Sequence, residues 1–239
     1  MRLTYIYHSS FALETGAFNA VFDYFTDRDG GAKIRELLND EKKLYVFSSH
    51  SHSDHFNPEI LRWKKRGEPA AYVFSSDIAD FRALRHSEIL YMSKNDSYTD
   101  ANLRVNAFGS TDAGVSFMLE ARGRKIFHAG DLNNWHWSSE STPEEAAKAG
   151  CDFLRELEDI WVYTDNVDLA MFPVDARMGA GFDLGARQFL DRIKVGYFSP
   201  MHFEWPEAGM EKARGLKSYA ESRGAKFIDW QKPGDSVEF

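Results

Sequence analysis

The chain has 239 residues, 43% of them apolar, and a formal charge of −8. That suffices for one large domain, or two small ones, with a substantial core, and the acidic balance disfavours a nucleic-acid partner. Cys151 is the sole cysteine, which excludes an intrachain disulfide and a thiolate metal cluster and fits a reducing compartment. The start, Met1-Arg2-Leu3-Thr4-Tyr5, lacks the apolar run of a signal peptide. No stretch approaches the roughly 18 apolar residues of a membrane span. The expectation is a soluble cytoplasmic protein with no membrane partner. Lys64, Lys65 and Arg66 form the only dense basic run, and they read as the outer end of a helix.

No linker, repeat or low-complexity segment divides the sequence, so residues 1–239 are expected to form a single domain. Residues 2 to 8 alternate like a strand, and "FALET" and "AVFDYF" continue the pattern around a turn at Gly16. A short helix is expected after Gly31, burying Ile34, Leu37 and Leu38. "LYVFSS" (44–49) is an apolar run of the kind found in a buried strand, and it leads straight into His50. Asn57-Pro58-Glu59 reads as a cap with proline at the first helical position, opening a helix that ends near Gly67. "AAYVFSS", a short helix around 77 to 85, and "EILYM" follow. Strands are expected over 103 to 108, 115 to 121 and 124 to 128, the last two joined at Arg122-Gly123.

Thr142-Pro143-Glu144-Glu145 carries a capping-box pattern. It predicts a helix with Phe153, Leu157, Ile160 and Trp161 on one face. "DLAMFPVD" and "VGYFSPMH" are buried-strand candidates separated by a helix over about 185 to 193. A last helix near 207 to 222 precedes "KFIDW". Strands come first and then alternate with helices, in both halves. Two sheets packed face to face with helices outside satisfy this order.

Residues 48–56 read "SSHSHSDHF". His50, His52, Asp54 and His55 thus follow an apolar strand directly, in a loop where imidazoles and carboxylates could converge on Zn, Fe or Mn. A solvated polar loop is the competing reading. Three downstream strands shift the balance, because "KIFHAGD" ends at Asp131, "LAMFPVD" at Asp175 and "GYFSPMH" at His202. Active sites are commonly built on loops at strand ends held by a rigid scaffold.

His50-x-His52-x-Asp54-His55 resembles the signature of the metallo-β-lactamase superfamily. "YHSSFALETGAFNAVFDY" is similar to the opening hairpin of its lactonase-like and phospholipase-D-like branches, with His8 and Asp23 at the matching places. Gly130-Asp131 resembles the family's bridging aspartate and His202 its last histidine. The resemblance covers most of the chain. It implies an αββα four-layer sandwich, two mixed sheets face to face with helices outside, and a dinuclear site at the rim. It further implies that His50 and His52 bind the first ion, that Asp54, His55 and His202 bind the second, and that Asp131 bridges them. The family usually has one more histidine before the Gly-Asp, where this chain reads "FGSTDAGVSF". Asp112 is the preferred substitute, His128 the second candidate and His86 a poor third. A carboxylate there would favour Mn or Fe more than an all-imidazole shell does. A single-ion site is the alternative to two.

Such a site implies a metal-dependent hydrolase acting on an ester, lactone or phosphodiester in a small molecule. Asp54 or Asp131 would accept the proton from the attacking water. No Gly-x-Ser-x-Gly elbow or Gly-rich phosphate loop offers another chemistry. His136, in "NNWHWSSE", could donate a proton or grip substrate while Trp135 and Trp137 wall the pocket; an ordinary packed loop is the other reading. Arg177 is a candidate to clamp an anionic group, with Asp175 beside it as a second substrate contact, and a structural salt bridge is the alternative. Asp23 reads as orienting a ligand imidazole, with His8 approaching the site from the first hairpin or simply buried. Two other functions compete: a di-iron redox protein, and an MBL-fold binding module that has lost catalysis. Substrate and oligomeric state are not legible.

Overall fold

In the computed structural model, which describes residues 1–28, 30–80, 89–203 and 209–239, the alternating N-terminal segments form a meander. β1 (Arg2–Tyr7), β2 (Ser10–Glu14) and β3 (Phe18–Phe22) pair antiparallel. β4 (Lys43–Ser48), β5 (Ala71–Ser75) and β6 (Ile89–Met92) extend that sheet in parallel. β7 (Ser97–Thr99), β8 (Arg104–Phe108), β9 (Ser116–Ala121) and β10 (Arg124–His128) open a second sheet antiparallel. β11 (Asn166–Pro173), β12 (Lys194–Met201) and β13 (Lys226–Phe227) continue it in parallel. β14 (Ser236–Glu238) returns to pair with β1. Among the described residues this gives two seven-stranded sheets, ordered β14-β1-β2-β3-β4-β5-β6 and β13-β12-β11-β10-β9-β8-β7.

Strands buried on both faces let one sequence supply two cores. Phe18, Ala20 and Phe22 of β3, with Tyr45 and Phe47 of β4, belong to the main cluster, whereas Val21, Leu44 and Val46 belong to a second one with Ile34 and Leu37. Phe22 stacks on Phe47 at 5.0 Å, and Phe47 meets Phe117 of β9 at 5.4 Å, joining the two sheets. Burying each such ring contributes about 2–3 kcal/mol.

The described α-helices are α1 (Ala32–Asn39), α2 (Pro143–Tyr163), α3 (Leu184–Arg192), α4 (Gly209–Ala213) and α5 (Lys217–Ser222). Ile34 and Leu37 of α1 face the first sheet. Phe189 of α3 stacks on Phe127 of β10 at 5.3 Å and meets Phe172 of β11 at a tilt, 4.8 Å away. The architecture is the expected αββα sandwich.

Several local expectations are corrected. The helix opened by Asn57-Pro58 is a single 3-10 stretch, Pro58–Arg62, so Lys64, Lys65 and Arg66 lie beyond it. The helix expected at 77 to 85 is described only as a 3-10 turn at Ser76–Asp80, and its remainder lies outside the described residues. The last helix is broken into α4, a 3-10 turn and α5; its expected start also lies outside them. In α2 the Thr142 capping box forms as read, and Phe153, Leu157 and Ile160 are buried. Trp161 is 40% exposed and sits under the Arg192 guanidinium at 4.3 Å. It follows Ile160 by one residue, which turns it about 100° off the buried stripe.

Candidate metal centre

β1 runs antiparallel to β2, and β2 to β3, so the carboxyl ends of β1, β3 and β4 share one rim. β10, β11 and β12 are mutually parallel and bring their carboxyl ends together likewise. His8, Asp23, Asp131, Asp175 and His202 follow β1, β3, β10, β11 and β12, and Ser49-His50 follows β4. His8, Asp23 and His202 adopt positive φ, at 55°, 43° and 68°. Such backbone costs of order 1–3 kcal/mol per residue and persists only where the surroundings overdetermine it. Here they do: the His8 N–H donates to the Tyr5 hydroxyl at 2.9 Å, and the His202 N–H donates to the His8 carbonyl at 3.3 Å.

Buried carboxylates fix the imidazoles from behind. Asp23, with no solvent exposure, accepts from His55 Nδ1 at 2.6 Å, from Ser49 N at 2.7 Å and from Ser49 Oγ at 2.6 Å. Ser49 Oγ, having donated to Asp23, accepts from His50 Nδ1 at 3.0 Å. Asp175 Oδ2 lies 3.1 Å from His202 Nδ1. Each of these three imidazoles therefore turns its Nε2 toward the rim, with its tautomer set by the oxygen behind it. Ser49 was not anticipated from sequence; its only signal is its place immediately before the first histidine.

In front, the Nε2 atoms converge on Asp131. Asp131 Oδ2 lies 3.4 Å from His50 Nε2, while Oδ1 lies 3.1 Å from His55 Nε2 and 3.3 Å from His202 Nε2. His50 Nε2, His55 Nε2 and Asp131 Oδ1 are buried with no hydrogen-bond partner among the described residues. An orphaned buried polar atom costs about 1–3 kcal/mol, and three on one point fit a divalent ion better than any internal pairing. Three groupings have ligand atoms mutually within 4.8 Å: His50, His55 and Asp131; His52, Asp112 and Asp131; and His8, Asp54, His55 and His202. Imidazole and carboxylate without thiolate suit Zn, Mn or Fe.

Without a metal, these groups shift one another strongly. Burial works against charge on His202, yet Asp131 and Asp175 raise its pKa to about 9. Burial likewise opposes charge on His55, and the Asp131 and Asp23 carboxylates outweigh it, raising its pKa well above the ordinary value. Asp131 is held well below the usual carboxylate range, because the facing His55 and His202 overcome its desolvation. His8 goes the other way: burial, then the neighbouring His202 and His55, lowers it to about 2. Its imidazole is neutral and keeps a lone pair.

The remaining sequence candidates divide. His52 and Asp112 stand half-exposed with His52 Nδ1 3.7 Å from Asp112 Oδ2, at the mouth of the site. Trp135 and Trp137 stack at 5.9 Å, and the Trp135 ring lies 5.3 Å from His202. With Asp54, Thr111 and Arg177 these residues line a cleft of about 320 Å³. His128 is turned away from it: Nε2 faces the Ser9 carbonyl at 3.0 Å, Nδ1 accepts from Gly130 N at 3.2 Å, and its ring stacks on Phe22 at 5.2 Å. His136 likewise directs its ring nitrogens at the Asn134 and Ala180 carbonyls, at 3.1 and 2.9 Å, and does not line the cleft. His86 lies outside the described residues. Asp175, read as a substrate contact, is 2% exposed and stands behind His202, holding Arg177 through Nε at 3.0 Å and Nη2 at 2.6 Å. The anticipated salt bridge is present. His8, read as approaching the site from the first hairpin or simply buried, faces the cage itself.

Gly114 keeps this packing possible. Its φ is +65°, and a Cβ there would stand 2.0 Å from the Ser49 carbonyl and 2.6 Å from His50 Cβ. Gly130 (φ +53°) presses on Ser49 from the other side, 2.7 Å from its Cβ by the same measure.

Two opposed mixed sheets with a histidine–aspartate cage at their strand ends define the metallo-β-lactamase class of proteins. The chain belongs to that superfamily: the family described as "Beta-lactamase superfamily domain" matches residues 2–149. It is similar to the UPF0173 metal-dependent hydrolase of Carboxydothermus hydrogenoformans, 23% identical over 225 residues and covering 86% of each chain. A like-named protein of Desulforamulus reducens is 22% identical over 258 residues, covering all of both chains. Among solved structures, Igni18, a metallo hydrolase of Ignicoccus hospitalis, superposes with a TM-score of 0.69 at 18% identity, over 100% of this chain and 98% of that one. CmlA, a diiron β-hydroxylase of Streptomyces venezuelae, gives 0.70 at 11% identity, and this chain spans 54% of its length. At such identities the structures speak for the fold. No described helix is long and apolar enough to cross a membrane.

Proposed function

We propose that this metal-dependent hydrolase of the metallo-β-lactamase superfamily cleaves an ester, lactone or phosphodiester bond in a small molecule, using a dinuclear site. The observation that carries the reading is Asp131, whose two oxygens face different imidazoles, Oδ2 toward His50 and Oδ1 toward His55 and His202. His50, His52 and Asp112 would hold one ion and Asp54, His55 and His202 the other, with Asp131 shared. Zinc is the expected metal, with manganese or iron admitted by the carboxylates. Divalent ions bound there supply a water acidified toward neutral pH and a Lewis acid for the scissile oxygen.

The chain's own groups do the rest. Asp54, one-third exposed with Oδ2 3.9 Å from His55 Nε2, is placed to take a proton from the attacking water and pass it to solvent. Trp135 and Trp137 keep one wall of the cleft apolar, and Arg177 sets a positive charge on its edge. The cleft lies at the small end of the range for small-molecule sites, which supports a compact substrate.

Elemental mass spectrometry on protein purified without chelator is the first test, beside Asp112→Ala. Near two equivalents of zinc or manganese, falling toward one in the variant, and turnover on an ester, lactone and phosphodiester panel that chelation abolishes, support the reading. Activity that survives full chelation refutes it. Bound iron would favour the redox alternative, and no metal after reconstitution would favour a binding module.

A further inference from the structure

We infer that His8 is a direct metal ligand, the fourth residue of the position built by Asp54, His55 and His202. This rests on the dinuclear reading above and specifies it. The Nε2 of His8 belongs to one group with the ligand atoms of those three residues, all within 4.8 Å of one another. It lies 3.9 Å from Asp54 Oδ2. The ring meets His202 edge-on at 4.5 Å and His55 edge-on at 5.7 Å. Neither ring stacks face to face on His8, whose Nε2 lies within 4.8 Å of the ligand atoms of both.

A supporting role leaves His8 nothing to support. An orienting residue bonds the far nitrogen of a ligand. The far nitrogen of His55 is taken by Asp23 and that of His202 by Asp175. A packing role does not account for it either: the ring is 3% exposed, yet its Nε2 makes no hydrogen bond among the described residues and faces Asp54 Oδ2 at 3.9 Å. Its other nitrogen lies 3.2 Å from Ser9 Oγ, which leaves Nε2 for the cage. The left-handed backbone of His8, tied through its N–H to Tyr5 and its carbonyl to His202, holds that aim. The two ion positions are then unequal. One has three buried imidazoles, and the other depends on the half-exposed His52 and Asp112.

The test is a titration of metal-free protein with Co²⁺ and Zn²⁺ against a chromophoric chelator, on wild type, His8→Ala and His52→Ala. His8→Ala is expected to weaken the tighter equivalent by about 100-fold or more, beyond the 10–100-fold typical of outer-shell changes, and to leave the weaker one within a few-fold. His52→Ala is expected to do the reverse. Unchanged binding in His8→Ala, in a wild type that takes two ions, overturns the assignment alone. A wild type that takes up none overturns the metal centre with it. Should His8→Ala fail to fold, X-ray absorption on wild type with one equivalent of zinc decides: three imidazoles support His8, and two refute it.

Discussion

His55 Nδ1 and Asp23 Oδ2 lie 2.6 Å apart, and neither side chain has any solvent exposure. The same carboxylate takes both donors of Ser49, so one buried aspartate positions His55 directly and His50 through a hydroxyl. Asp23→Asn keeps the size but cannot accept from all three donors. Breaking a buried charged contact of this kind costs about 3–5 kcal/mol, and loss of ligand orientation costs 10–100-fold in metal affinity. Urea unfolding of the metal-free variant and a chelator competition check the two effects separately. A variant with wild-type stability and affinity would remove Asp23 from its place.

Asp175 and Arg177 form a pair whose members should not be equally important. Asp175 is 2% exposed and backs His202, while the Arg177 side chain is 63% exposed. Arg177→Met is expected to cost at most about 1 kcal/mol, as exposed ion pairs do. Asp175→Ala is expected to cost several times that and to weaken metal binding. Thermal melts of the two metal-free variants, run side by side, give the comparison.

Glycine is required at position 114 for space as well as for φ. Gly114→Ala should cost about 2–4 kcal/mol, since strain at positive φ adds to collision with the Ser49 carbonyl. Gly123, at φ +76° with nothing within 4 Å of its added Cβ, is the control. Its alanine variant should lose only the backbone term, about 1–2 kcal/mol. Equal losses at the two sites would show that close packing on Ser49 is unimportant.

Acid stability has a source far from the cleft. Burial opposes ionisation of Asp100, but the Tyr45 hydroxyl, the Asn102 and Leu103 amides and Lys43 lower its pKa from 3.8 to about 2. A carboxylate depressed on folding stabilises the protein above its unfolded pKa, and the gain disappears as pH falls through the folded one. Asp100 should therefore contribute up to about 2 kcal/mol above pH 4, vanishing between pH 4 and 2. Asp100→Asn should lose stability at pH 6 and match wild type near pH 2. A constant offset across that range would contradict the assignment.

The sequence made the frame of the site legible because its signals are local. Apolar runs ending at His50, Asp131 and His202, and a capping box at Thr142, need no knowledge of the rest of the chain. What it concealed depends on distant partners. His136 and His128 look available until the Ala180 and Ser9 carbonyls, 44 and 119 residues away, take their ring nitrogens. Asp175 reads as a pocket residue because its strand end is visible and His202, 27 residues on, is not yet beside it. β14 escapes notice because three residues pair only with β1, at the far end of the chain. The 3-10 stretch after Asn57 carries a true helix start, and only its early stop was hidden.

The cage draws side chains from strand ends of both sheets, His8, His50 and His55 from one and Asp131 and His202 from the other. An ion seated among them is therefore also a rivet through the middle of the sandwich. Folding free energy then depends on metal supply: at free metal 1,000-fold above Kd the folded state gains about 4 kcal/mol, a large share of what a domain normally has. Under metal starvation a cell would lose the polypeptide to proteolysis as well as its catalysis, so abundance itself would report metal status.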